Sequence, residues 1–444
     1  MKKSFTYGLL LLALAFNLFV GTQIYLSTAH GADKEDPYDS IKLFTRVLEM
    51  VRKDYVDGEK LTYQDLVYGA LRGMLSTLDP HSEFMEPPKF DDLKKDTEGQ
   101  FGGLGVVISL KDGYLTVVTP MDDTPGARAG ILTGDRIVKI DGKSTEKLSL
   151  PDGVKRLRGE PGTSVKLTVF RPSNGETKDY ELTRDVIKVD SVKDVNGHRE
   201  FPLSANKTGY LRISGFGEKT GDELERALKL VEGQGAESLI LDLRDNPGGL
   251  LDQAVAVCEK FLPRGQLIVS TEGRASSQRH EYPASGRNQH PRLPIVLLVN
   301  GGSASASEIV AGCLQDLKRA IVLGEQTFGK GSVQSILPMP DGSALRLTTA
   351  KYYTPSHKVI HEKGITPDII VPMSQDEERD LALKRTPYGI ESLDERDQER
   401  VRNARDVQLD RAMDLLKGIS LYSKRAGVSD QAMRKAGEKM AAAK

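Results

Sequence analysis

Only two cysteines occur in the 444 residues, Cys258 and Cys313, and they do not form a C-x-x-C pair. Nothing in that spacing supports a disulfide framework. Each thiol sits in an apolar, helix-like stretch and reads as a buried structural residue. A surplus of charge is also missing: 62 Lys and Arg face 63 Asp and Glu, a formal net charge of −1. Proteins that bind nucleic acid by neutralising phosphates carry a basic excess, so the balance argues against that partner class. There is no H-E-x-x-H helix. His357 and His361 are four apart, but Val359 and Ile360 between them point to a strand, and no metal site or cofactor is expected. The stretch GEQTFGKGS at 324–332 falls one hydroxyl short of a phosphate-binding loop, because Gly331 stands where G-x-x-x-x-G-K requires Ser or Thr.

What is present describes an ordered, turn-rich chain of two or three compact units, with 38% hydrophobic residues and 43 glycines. At the N-terminus, Lys2 and Lys3 precede an apolar run from Tyr7 to Leu26, followed by small residues around Ala29 and Gly31. This is the pattern of an export signal, and a run of about 20 residues is also long enough to span a bilayer uncleaved. Residues 1–32 are therefore expected to be a signal peptide or a membrane anchor. The mature chain is placed in the periplasm or on the extracytoplasmic face of the cytoplasmic membrane, away from cytosolic nucleotides.

Residues 36–96 read as a helical arm, with Ile41, Phe44, Val47, Leu48 and Val51 on one face. Over 97–188 the texture becomes short β-type runs, LGVVISL, YLTVVTPM, DRIVKIDGK and SVKLTVFR, with a helix carrying Val154 and Leu157. This order resembles a PDZ domain. FGGLGV at 101–106 then takes the place of the carboxylate-binding loop, with backbone N–H groups of Gly103, Leu104 and Gly105 cupping a peptide C-terminus that adds as a β-strand. Val106, Val154, Leu157 and Leu104 would supply an apolar pocket. Residues 189–372 alternate strands and helices, which predicts a mostly buried sheet covered by helices. Residues 373–444 are charged and helical, with no chemical motif. The expected fold class is thus α/β, within an α+β multidomain chain that has helical arms at both ends.

Two Gly-rich strand-to-helix turns can carry chemistry. In NGGSASASE at 300–308, a serine at the start of a helix would have the next backbone N–H as an oxyanion donor. Ser305-x-x-Glu308 equally satisfies a capping box, and on this loop alone capping outweighs catalysis. DLRDNPGGLL at 242–251 offers further donors at Gly248 and Gly249. Neither turn contains a histidine to serve as base. Lys330 can take that role if desolvation lowers its pKa, and the strand-like residues after it are wrong for a phosphate-binding loop.

The segment NGGSASASEIVAGCLQDLKRAIVLGEQTFGKGSVQ, together with GMLSTLDPHSEF, LRGEPGTSVKLTVFR, DLRDNPGGLL and GITPDIIVP, resembles the carboxyl-terminal processing peptidases, or tail-specific proteases, from about residue 40 to 372. The resemblance implies Ser305 as nucleophile, Lys330 as base, Gln334 orienting the lysine, and an oxyanion hole of the Ala306 N–H plus one from Gly248 or Gly249. It also implies protein or peptide substrates with free C-termini. Homo-oligomers through the helical arms are a further expectation. The competing reading is a PDZ adaptor with a non-catalytic core; nucleotide binding ranks third.

Overall fold

The computed structural model describes residues 37–385 and 395–425, except 112, 122–123, 288–289 and 291–292. The expected export segment and the last 19 residues, 426–444, lie outside that range. Among the described residues no helix is long and apolar enough to cross a membrane.

The chain divides into two compact units, Met1–Leu78 and Asp79–Lys444. The first contains α1 (Pro37–Asp54) and α2 (Tyr63–Ser76). Thr62 caps α2: its hydroxyl accepts the Asp65 N–H at 3.0 Å, and the Asp65 carboxylate accepts the Thr62 N–H at 3.0 Å. No residue of α1 is buried, and Ile41, Phe44 and Val47 are exposed.

The second unit opens with β1 (Glu83–Met85) and α3 (Pro87–Thr97). The helical reading of 36–96 therefore needs correction at 83–85. There the chain is a strand, because Glu83, Phe84 and Met85 pair with Arg346, Leu345 and Ala344 far along the sequence. Next come β2 (Gln100–Gly103), β3 (Val106–Lys111), β4 (Tyr114–Pro120), α4 (Pro125–Arg128), β5 (Arg136–Ile140), β6 (Lys143–Ser144), α5 (Leu150–Leu157), β7 (Ser164–Arg171), β8 (Glu176–Thr183) and β9 (Asp185–Lys188). Strands β3-β4-β5-β7-β8 form one sheet with β6 attached to β5, and β2 pairs with β9 where the chain enters and leaves this module. Its own core contains Leu115, Ile137, Val165, Leu167 and Leu157.

Beyond it run β10 (Val192–Lys193), β11 (Thr208–Ile213), α6 (Thr220–Gly233), β12 (Ser238–Asp242), α7 (Leu251–Glu259), β13 (Leu267–Gly273), β14 (His280–Pro283), β15 (Ile295–Val299), α8 (Ala306–Asp316), β16 (Ala320–Gly324), β17 (Ser332–Pro338), β18 (Ala344–Tyr353) and β19 (Ile369–Ile370). Strands β10-β11-β12-β15-β16-β19 build the central sheet, parallel from β11 onward. Side chains alternate across a strand, so Leu239 and Leu241 face the cluster shared with α6, α7 and α8. Ile240 faces Ala412 and Leu416 on the opposite side. Both faces are covered, which is why SLILD and IVLLV are continuous apolar runs. Cys258 in α7 and Cys313 in α8 are buried in the first cluster, as their apolar settings predicted. The second sheet is β1-β18-β13-β14, with β17 hairpinned onto β18. Helices α9 (Gln375–Arg385), α10 (Glu395–Asn403) and α11 (Val407–Arg425) complete the described chain.

Candidate active site

Turns at the C-terminal ends of parallel strands converge, as the topology of such sheets requires. The β15–α8 turn ends at Ser305, whose φ of 55° and ψ of −112° are unusual for a residue with a side chain. The β12–α7 turn lies against it. A Cβ at Gly248 would sit 2.6 Å from the Ala304 carbonyl oxygen, 2.8 Å from the Ser305 Cβ and 2.9 Å from the Ala306 nitrogen, so glycine is required there. Asn246 joins the two turns. Its carbonyl accepts the Ala304 N–H at 3.0 Å and the Ser307 hydroxyl at 2.9 Å, and its side chain donates to the Ile213 carbonyl at 2.7 Å. Asn246 Oδ1 also accepts the Gly248 N–H at 2.9 Å. The N–H groups of Ala306 and Gly249, in contrast, have no backbone acceptor among the described residues.

The third component is the 324–331 loop. Phe328 N–H donates to the Ser303 carbonyl at 3.0 Å. Glu308, fully buried on α8, takes four donors: the Thr327 hydroxyl at 2.6 Å, the Gly329 N–H at 2.7 Å, and the N–H groups of Lys330 and Ser305, both at 2.8 Å to the same oxygen. One carboxylate oxygen thus holds the backbones of Ser305 and Lys330 within two hydrogen-bond lengths of each other. Burial pushes the Glu308 carboxyl up, and these four hydrogen bonds oppose the shift. The capping-box glutamate read from the sequence therefore also ties the helix start to the lysine loop.

Gly331 explains the missing hydroxyl of the phosphate-loop pattern. A Cβ there would lie 2.1 Å from the His361 nitrogen, so the backbone of the 360–362 turn occupies that space. The chain then continues as β17 rather than as a helix. Burial, followed by the Arg346 guanidinium, holds the half-buried Lys330 ammonium below the usual lysine range, while Glu308 pulls the other way. The Gln334 amide donates to the Ser332 hydroxyl at 2.8 Å, since the two residues share a strand face. No hydrogen bond joins Gln334 to Lys330 among the described residues.

Around the β-rich module's first turn, the Leu104 carbonyl accepts the Gly126 N–H at 2.8 Å and the Gly105 carbonyl accepts the Met121 N–H at 2.7 Å. In a trans peptide the N–H points opposite to its C=O, so the Gly105 N–H turns away from α4 and the Val106 N–H away from Met121. A cavity of about 220 Å³ lies beside Gly103, Leu104, Gly105, Val106, Val154 and Leu157. All six predicted peptide-binding residues line it. Arg158 stacks over the Phe101 ring, 4.2 Å from its centre, at the rim of the same cavity.

A model of peptidase family S41 matches residues 207–371, and one of the PDZ domain matches residues 116–171. The carboxy-terminal-processing protease of Bartonella bacilliformis is 44% identical over 347 residues, covering 76% of this chain and 76% of that one. The chain belongs to peptidase family S41. The carboxyl-terminal-processing protease of Synechocystis sp. is 36% identical over 378 residues, 81% of this chain and 87% of that one. Among solved structures, the photosystem II D1 C-terminal processing protease is 32% identical, covers 74% of this chain and 92% of that chain, and superposes with a TM-score of 0.43. The two family models and the two curated relatives make this S41 peptidase a serine-type C-terminal processing peptidase with a PDZ domain.

Two groups beside the peptidase's Lys330 were not legible as site residues. The Asp79-Pro80-His81-Ser82 turn is fixed by Asp79, which accepts the His81 and Ser82 N–H groups at 2.8 and 2.9 Å and the Thr348 hydroxyl at 3.2 Å. Arg346 donates to the His81 carbonyl at 3.1 Å and pairs with Glu83 at 2.7 Å. Burial and the Lys330 charge hold His81 below its ordinary value. The one available signal was the DPHS stretch within the family resemblance.

Proposed function

We propose that this S41 peptidase is exported and cuts proteins near their free C-termini through a Ser305–Lys330 dyad. The observation that carries the reading is the single buried Glu308 oxygen that accepts both the Ser305 and Lys330 N–H groups. In the reaction, neutral Lys330 Nζ takes the Ser305 hydroxyl proton as Oγ attacks the scissile carbonyl carbon. The resulting oxyanion is met by the Ala306 N–H and, because the Gly248 N–H is given to Asn246, by that of Gly249. Collapse breaks the C–N bond as the Lys330 ammonium returns the proton to the leaving amine. Water then repeats the cycle on the acyl-enzyme. The role of Gln334 in orienting Lys330 rests on the family resemblance alone, since its amide donates to the Ser332 hydroxyl.

Depressing the Lys330 pKa favours the amine form that a base requires, which supports this reading over a permanently charged phosphate clamp. Substrate selection is assigned to the PDZ cavity, where the turned-away N–H groups receive the terminal carboxylate and Val154 and Leu157 the last side chain. Export rests on residues 1–32, with either cleavage near Ala29 or retention as an anchor. Self-association through the helical arms belongs to the same reading, supported by the exposed Ile41, Phe44 and Val47.

Amidating the C-terminus of a peptide substrate removes the charge the loop receives and should raise KM at least about tenfold, since hydrogen bonds to charged groups contribute roughly 1.5–3 kcal/mol. Paired kinetics on free-acid and amide forms of one peptide test this. Equal cleavage of both would reject carboxylate capture.

A further inference from the structure

The C-terminal helices carry no catalytic motif, yet one of them reaches the oxyanion turn. Arg244, only 3% exposed, opens the segment that runs to Gly249. Its guanidinium lies between two carboxylates: Nη2 donates to Asp242 Oδ2 at 2.6 Å and to Asp406 Oδ2 at 2.8 Å, while Nη1 donates to Asp406 Oδ1 at 2.8 Å and Gln408 Oε1 at 3.1 Å. Asp242 Oδ1 also accepts the Arg244 N–H at 2.9 Å, and Asp242 Oδ2 accepts the Tyr210 hydroxyl at 2.6 Å. Asp406 stands just before α11, whose Leu409 N–H it accepts at 3.0 Å, and Gln408 donates on to the Val371 carbonyl at 2.9 Å. Neither Asp406 nor Gln408 falls within the matched S41 segment 207–371.

We propose that Asp406 is a positioning residue for the reaction, which through the Arg244 clamp fixes the 244–249 turn and with it the Gly249 oxyanion donor. The physical need lies in the turn's backbone. Asp245 has φ of 59°, a conformation that persists in a residue with a side chain only where the surroundings over-determine it, and Gly248 and Gly249, at 100° and 149°, follow it with no side chain to hold them. Asn246 and Asn300 hold the middle of the turn: Asn300 Oδ1 accepts the Asp245 N–H at 2.9 Å and Asn300 Nδ2 donates to Asp245 Oδ1 at 2.8 Å. The Arg244 fork holds its start. Two parallel N–H···O bonds to Asp406 fix the guanidinium plane as well as its distance, and Asp242 Oδ1, which accepts both Arg244 Nε at 3.0 Å and the Arg244 backbone N–H at 2.9 Å, couples that plane to the start of the turn. Docking of α11, with Ala412 and Leu416 packed on the sheet, therefore contributes to the geometry of the catalytic centre as well as to stability.

The inference rests on the oxyanion assignment above, and its test separates the two. In the full chain, Asp406→Asn keeps the side chain's shape but gives Arg244 a neutral, one-oxygen partner. Misplacing a catalytic group by about 1 Å costs on the order of a hundredfold, so kcat per active site, titrated to completion with a serine-directed probe, should fall at least about tenfold while KM stays within about twofold. Leu416→Ala, which weakens α11 docking without touching Arg244, should lower Tm but keep kcat per titrated site. A wild-type kcat in Asp406→Asn overturns the proposal, as does an equal kcat loss in Leu416→Ala, which would make the effect one of general stability. Persisting turnover by Ser305→Ala would instead defeat the underlying active-site reading.

Discussion

Replacing Lys330 by arginine leaves a folded peptidase that cleaves peptides at least about ten-thousand-fold more slowly, the scale on which loss of a triad member acts. Charge, length and hydrogen-bonding capacity are nearly kept, so the fold has little reason to respond: Lys330 is half-buried and its backbone N–H, the group bound by Glu308, is unchanged. What changes is acid–base chemistry. A guanidinium does not give up its proton in a protein, whereas a lysine desolvated and set near Arg346 does so below its usual range. Ser305→Ala should be equally inert, and the double variant no worse than either single one, because both groups act in one step. Circular dichroism and Tm establish that each variant folds; kcat/KM measures the loss.

The second large effect is expected at Glu308. Glu308→Gln should lower kcat about a hundredfold and destabilise the protein by about 2–6 kcal/mol, given roughly 1–3 kcal/mol for each of two buried donors left without an acceptor. An ionised carboxylate only accepts, and this one faces four donors. A glutamine must turn an NH2 toward two of them, so either the Ser305 and Lys330 N–H groups or the Thr327 hydroxyl and the Gly329 N–H lose their acceptor. Either outcome moves the serine turn relative to the lysine loop. A pure capping role predicts a Tm decrease with unaltered kcat, and calorimetry beside kinetics distinguishes the two.

This residue also shows where sequence reasoning stops. Ser305-x-x-Glu308 reads as a capping box competing with catalysis, and local spacing offers no means of choosing. In three dimensions the alternatives are not exclusive, because the cap glutamate is buried against the lysine loop 22 residues away. The alternating runs of the PDZ domain and the continuous runs of the central sheet were legible because strand burial on one or both faces writes itself into local pattern. The strand after Lys330 was legible from its strand-like residues, which a phosphate-binding loop would replace with a helix. The Arg346–His81 contact spans 265 residues and the Arg244–Asp406 pair 162, and neither leaves a local trace. The strand at Glu83–Met85 was missed because its cause is a partner strand at 344–346.

The most direct test of the dyad is the acylation of the peptidase by a peptidyl p-nitrophenyl ester, quenched in acid across a range of pH and mapped by mass spectrometry, in wild type and in Arg346→Gln. Lys330 is inactive as a base while protonated, so acylation should rise as pH passes upward through its depressed pKa. Removing the Arg346 charge lets Lys330 keep its proton longer and moves that rise to higher pH. One adduct is expected, on Ser305, with this displacement between the two proteins. An adduct on another residue, or acylation of Ser305 whose pH dependence ignores Arg346 and persists when Lys330 is arginine, would contradict the dyad.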